Sequence, residues 1–265
     1  MKLPTIDLPI YETTLPSTGE KIKYRTFTVK EEKIMLIAKE SRDPDHVILS
    51  IKQVLNNCII GKSVNDLAVF DIEYILAMIR GKSIDSVVDF TIKDPETDED
   101  IKLKLKIDDV KVHRDEKHTN RIRLNDQYVL IMKYPTYDSY TKALKPEAIK
   151  DPLAYYDTMI ACFDKLVTAE TVYEFSSFSR EEVEDFVEGL GAGVIEKIEQ
   201  FFTTMPVLRH EFKYKNSNGT ERTFVVEGTE SFFRSIAAVF LPVESFEKAS
   251  KTQVWADSRQ TISRR

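Results

Sequence analysis

Between residues 69 and 107 the hydrophobic period changes from that of a helix to that of a strand, and this switch constrains the fold more than any other feature of the chain. From Val69 to about Arg80, the apolar residues Phe70, Ile72, Tyr74, Ile75, Met78 and Ile79 are those of a helix, with Gly81 as its expected stop. Val87 to Ile92 then reads as one strand, and Ile101 to Ile107 alternates apolar and polar residues almost without exception. The connector Lys93 to Asp100 is acidic and turn-rich, so the two strands form a hairpin with an exposed tip containing Pro95 and Glu96. Alternation places Lys102, Lys104 and Lys106 in one row on the solvated face. Such a row guards an edge strand against unwanted pairing, or meets an acidic partner.

The same logic organises the rest of the chain. Ser17, Thr18 and Gly19 are turn formers ahead of a half-buried alternating strand, which predicts an opening hairpin. Thr28 and Glu31 stand at capping-box spacing before a helix from Val29 to Ser41. Asp43-Pro44 breaks that helix, and Val47, Ile51, Val54, Leu55 and Cys58 keep helical spacing beyond it. His113 to Asn120 is a polar loop, and Tyr128 to Pro135 a strongly apolar strand. Asp151-Pro152 opens a helix expected to run through Tyr155, Met159, Phe163 and Leu166. Ser179 and Glu182 form a second capping box. Gly191 and Gly193 precede a helix from about Val194 to Phe202. Leu208 to Tyr214, the turn Asn216 to Gly219, and Arg222 to Val226 make another hairpin. Helix, strand, turn, strand thus occurs twice, and Ser231 to Leu241 closes as an apolar helix. The expected class is α+β, mostly helical with two or three antiparallel β-hairpins. The expected division is an N-terminal part over 1–120, a C-terminal part over 121–247 and a polar tail over 248–265. Trp255, the single tryptophan, lies in that tail, where a large aromatic either packs back on the body or anchors the tail in a partner.

Composition excludes several classes. Apolar residues at 42% supply ample core, and a net charge of −6 argues against a nucleic-acid or membrane-surface binder with a basic face. No stretch of about 20 apolar residues is present to span a bilayer. Cys58 and Cys162 are far apart in apolar helical contexts, which suggests buried thiols in a reducing compartment. None of His46, His113, His118 and His210 has a metal-ligand partner at short helical spacing, and phosphate-loop, dinucleotide and nucleophile-elbow motifs are missing. The acids from Asp94 to Asp100 lack the central glycine and distal glutamate of a calcium loop. No catalytic, cofactor or metal site is expected.

The segment LPSTGEKIKYRTFTVKEEKIMLIAKES, followed in order by IKQVLNNCIIGK, LAVFDIEYILAMIRGKSIDSVVDFTIKD and IKLKLKIDDVKV, resembles the baseplate hub and hub-assembly proteins of T-even-type contractile-tailed phages. The likeness is sharpest over about the first 110 residues. Where a zinc-ribbon-like tip of that family would carry cysteine pairs, the tip from Lys93 to Asp100 has none, so no metal is implied. The resemblance implies a structural or morphogenetic protein of the virion tail baseplate, made in the host cytoplasm and acting on other tail or hub proteins, with no catalytic residues to carry over from the family. The expected contacts are Trp255, Lys102, Lys104, Lys106, Pro95 and Glu96, and a homo-oligomer is compatible with them. A hub-assembly chaperone that leaves the particle, an unrelated cytoplasmic α+β binding module, and an enzyme using scattered residues such as His210, Glu211 and Asp164 are the alternatives.

Overall fold

The computed structural model describes residues 6–41, 43–83, 86–143 and 153–228. The chain opens with β1 (Ile10–Thr14) and β2 (Lys21–Arg25), followed by α1 (Val29–Ser41) and α2 (Pro44–Cys58). Next come β3 (Ile59–Ile60), α3 (Val69–Ser83), β4 (Val87–Lys93), β5 (Asp100–Lys106) and β6 (Lys111–His113). Then follow β7 (Arg121–Arg123), β8 (Val129–Met132), α4 (Tyr137–Ala143), α5 (Ala154–Ala161), β9 (Phe163–Val167) and β10 (Val172–Glu174). The described part ends with α6 (Arg180–Glu188), α7 (Ala192–Thr203), β11 (Val207–Lys215) and β12 (Glu221–Glu227). The chain forms two compact units: one takes the residues up to His113 and, after a return, those from Val207; the other takes residues 114–206.

Among the described residues there are twelve strands in four antiparallel sheets, β1-β2-β3, β4-β5, β6-β11-β12 and β7-β8-β9-β10. The fold is therefore mixed α+β, which corrects the expectation of a mostly helical chain with two or three hairpins. Of the strands missed by sequence reading, β9 lies in a stretch whose spacing predicts a helix, and the other four are short. β3 has two residues, and β6, β7 and β10 three each. Alternation cannot be recognised over so few positions.

In the first unit the opening hairpin turns where expected. Leu15 N–H donates to Glu20 C=O at 2.8 Å and Gly19 N–H to Leu15 C=O at 2.9 Å, with Gly19 at φ 75°, a left-handed conformation that glycine adopts without steric cost. β3 then adds to β2 as a third strand. α3 is buried on nearly every side, through Phe70, Ile72, Ile75, Leu76 and Ile79, as expected of a helix central to its unit. It runs through Gly81 to Ser83, so Gly81 is not a stop. A Cβ at Gly81 would sit 3.1 Å from Ile107 Cγ2, and the glycine instead permits the helix to approach the residue that follows β5.

In the second unit, Ile122, Leu130, Phe163, Val183, Ile198 and Phe201 belong to one core. The long helix expected from Pro152 to Leu166 is in fact α5 followed by β9. The helix ends at Ala161, and Phe163 to Val167 pair with β8 on one side and β10 on the other. Strand pairing on both flanks satisfies the backbone there and outweighs the weak local preference for helix. The Ser179 capping box is complete, with the Glu182 carboxylate accepting the Ser179 N–H at 2.7 Å. Gly191 is the N-cap of α7, whereas Gly193 lies inside that helix.

Candidate interaction surfaces

Two hairpins of the first unit, β4–β5 and β11–β12, meet at their tips. Asp94, buried at the start of the β4–β5 turn, accepts N–H bonds from Glu96 and Thr97, each at 3.0 Å, which shape the turn locally. Its other oxygen accepts the Tyr214 hydroxyl of β11 at 2.7 Å. Glu96 accepts from Asn216 at 2.9 Å, from Asn218 at 3.2 Å and from Arg222 at 2.7 Å. Glu99 accepts the Ser217 N–H at 2.6 Å. Burial opposes ionisation of Asp94, but the hydrogen bonds from Tyr214, Thr97, Glu96 and Asn216 outweigh it and hold its carboxyl well below the usual range. Thus the acidic run is a clasp between hairpins that are about 120 residues apart in sequence. Replacing Asp94 with Asn keeps the volume but removes the charge from this clasp. Faster amide hydrogen exchange at Ser217 to Thr220, with little change in α3, is the expected result; unchanged exchange there would show that Asp94 does not hold the two tips together.

The residues expected to make contacts are therefore placed differently from one another. Lys102, Lys104 and Lys106 lie exposed on β5, opposite Thr91, Asp89 and Val87. Among the described residues, Lys104 is the one of the three that approaches a carboxylate across the strands, Asp89, at 3.9 Å. Pro95 is exposed at the tip, while Glu96 is engaged by the neighbouring hairpin. Trp255, the closing helix expected from Ser231 and the polar tail lie outside the described residues. His210 packs edge-on against Phe212, Glu211 pairs with Arg209, and Asp164 belongs to the other unit.

Sequence reading did not reveal the exposed apolar positions. β10 is the last strand of its sheet, and all three of its residues are exposed, with Val172 at 53%. The Tyr173 ring lies 6.4 Å from that of exposed Phe178, extending the apolar edge. In the first unit, Leu36 and Ile37 of α1 and Leu49 of α2 are exposed. Periodicity identifies an apolar face without saying whether anything covers it.

Several buried polar groups are structural. Glu31 accepts Arg25 at 2.9 and 3.1 Å, the Thr28 N–H at 2.9 Å and Asn57 at 3.2 Å. Asp71 accepts both the N–H and the hydroxyl of Ser17, and burial raises its carboxyl despite them. Cys58 and Cys162 are free and buried, and burial pushes both thiols up to about 12, which leaves little thiolate for chemistry. His118, from the supposed polar loop, sits between the Thr204 and Tyr134 hydroxyls at 2.9 Å each and stacks on the Tyr134 ring. Burial and then the Arg114 charge lower its pKa, favouring the neutral ring. Among the described residues no group of three or more His, Cys, Asp or Glu side chains is placed to hold a metal, and no helix is long and apolar enough to cross a membrane.

Comparison with known proteins bears on what these surfaces serve. Searches of curated proteins and of solved structures gave no match. The family model described as T4 bacteriophage base plate protein, by contrast, matches residues 8–234, which include every described strand and helix. A match over that much of the chain establishes that this protein belongs to the T4 bacteriophage base plate protein family.

Proposed function

We propose that this baseplate protein is a non-enzymatic component of the hub and acts by association with other tail proteins. The resemblance of its first 110 residues to hub and hub-assembly proteins supports the hub assignment. The observation that carries association is the apolar edge of β10, where Val172 and Tyr173 stand exposed beside Phe178 at the end of a sheet. An edge strand presents unpaired backbone groups, and exposed apolar side chains on it favour burial against another chain. The lysine row of β5 supplies a second surface, suited to acidic partners. Trp255 would add an aromatic anchor from the tail.

Quantitative mass spectrometry of purified particles beside the infected-cell lysate tests this reading. The expected result is a fixed copy number in the particle, comparable with that of other hub proteins. Abundance in the lysate with absence from particles would overturn the reading in favour of an assembly chaperone.

A further inference from the structure

The second unit carries a basic pocket that none of the surfaces above includes. It has a volume of about 260 Å³ and is lined by β7, the loop before it and α7. Its charged lining residues are Lys117, Arg121, Arg123 and Lys197, with no carboxylate among them. This is contrary to the surroundings, since residues 114–206 contain eleven Lys and Arg against seventeen Asp and Glu. Four basic residues lining one hollow, within an otherwise acidic stretch, create a local positive potential without a general one.

The geometry explains why the hollow lies along a strand edge. β7 is the last strand of its sheet, opposite β10. The Met132 N–H donates to Asn120 C=O at 2.8 Å and the Leu124 N–H to Tyr128 C=O at 3.0 Å, so the even-numbered residues face β8. By the alternation of an antiparallel ladder, Arg121 and Arg123 turn their backbone groups outward. Lys197 of α7 donates to Arg123 C=O at 2.9 Å, and Thr119 Oγ1 accepts the Arg121 N–H at 3.1 Å. These bonds fix the rim. Phe201, buried and stacked on Tyr134, forms an apolar floor. Arg123 also meets Asp126 at 2.6 Å, but this pair is exposed and contributes little.

We infer that this pocket binds an acidic segment of a partner protein, with one or two carboxylate side chains held by Arg121, Lys117 and Lys197. The hollow has room for short side chains, not for a tract of nucleic acid. The net charge of −6 would also repel an extended polyanion, whereas a short acidic segment is attracted only locally, where the basic residues line the hollow. This inference rests on the association reading only in taking its occupant to be a protein.

The test uses the full chain and fluorescein-labelled peptides of equal length, one with alternating Glu and Val and one with alternating Gln and Val. An unlabelled oligothymidylate and inorganic phosphate serve as competitors. We expect the Glu peptide to bind at least about tenfold more tightly than the Gln peptide, and Lys117→Ala with Arg121→Ala to weaken it about tenfold or more. The control Lys30→Ala with Lys33→Ala, exposed cations of the first unit, should change it less than about twofold. The charge-preserving pair Lys117→Arg with Arg121→Lys should retain most of the binding, which separates loss of charge from loss of fold. Absence of Glu-peptide binding, equal loss in the control, or displacement by the oligothymidylate at lower concentration than by unlabelled peptide would overturn the inference. The particle copy number is unaffected by that outcome, so failure of this site is distinguishable from failure of the hub assignment.

Discussion

Replacing Glu31 with Ala should lower the stability of the fold by about 3 kcal/mol, because it leaves Arg25, Asn57 and the first turn of α1 without their common acceptor. Glu31 is 1% exposed. Burial alone would raise its carboxyl, but hydrogen bonds from Arg25 and Thr28 outweigh it and take the pKa from 4.5 to about 2. A carboxylate with a folded pKa below its unfolded one contributes stability that is fully present above the unfolded value, here about 4.5, and is lost as pH falls through about 2. At about 1.4 kcal/mol for each pH unit, the interval also corresponds to about 3 kcal/mol. Arg25 keeps some access to water, which places the cost at the lower end for a broken buried pair. Urea titrations at pH 7, 4.5, 3 and 2 on the parent and on Glu31→Gln check the sign. The gap between the two should be constant above about pH 4.5 and close steadily below it. A gap independent of pH down to 2 would show that the carboxylate is not the acceptor that matters.

Phe163→Ala should be at least as damaging, costing about 3–5 kcal/mol. Its ring is 1% exposed, meets Phe175 edge-on at 5.2 Å, and belongs to the core with Leu130, Val183 and Phe201. Truncation removes apolar surface from that core and leaves a void beneath β9, the strand between β8 and β10. Since a domain is stable by only about 5–15 kcal/mol, the second unit should lose its near-ultraviolet circular dichroism at much lower urea. Phe163→Leu, which keeps most of the volume, should cost about 1–1.5 kcal/mol. Equal costs for the two variants would mean that ring packing does not support the sheet. Peptide binding at the basic pocket should fall with Phe163→Ala as well, because Phe201 is both a core neighbour and the pocket floor.

The elements legible in the sequence are those whose local chemistry is sufficient. The first hairpin turn is set by Gly19, the α1 start by Thr28 and Glu31, and the α6 start by Ser179 and Glu182. The alternation of β5 likewise placed Lys102, Lys104 and Lys106 on one exposed face. The acidic tip was the instructive failure. Asp94, Glu96 and Glu99 look like solvated turn residues, yet Tyr214, Asn216, Ser217 and Arg222 make them a clasp. Nothing near residue 94 signals a partner near residue 216. The basic pocket was equally hidden, since Lys117, Arg121 and Arg123 fall in a short polar stretch and Lys197 comes from a later helix.

By itself, then, the sequence determined turn positions, helix starts and the exposed face of the strongest strand, because hydrogen bonds within about four residues and the period of burial decide them. Its likeness to hub proteins likewise pointed to the baseplate family. Only the tertiary structure decided that residues 163–167 are a strand, that Gly81 lies within a helix and that the two hairpin tips are joined. Each of these depends on groups distant in the chain, whose pairing and packing energies exceed the weak local preferences they override.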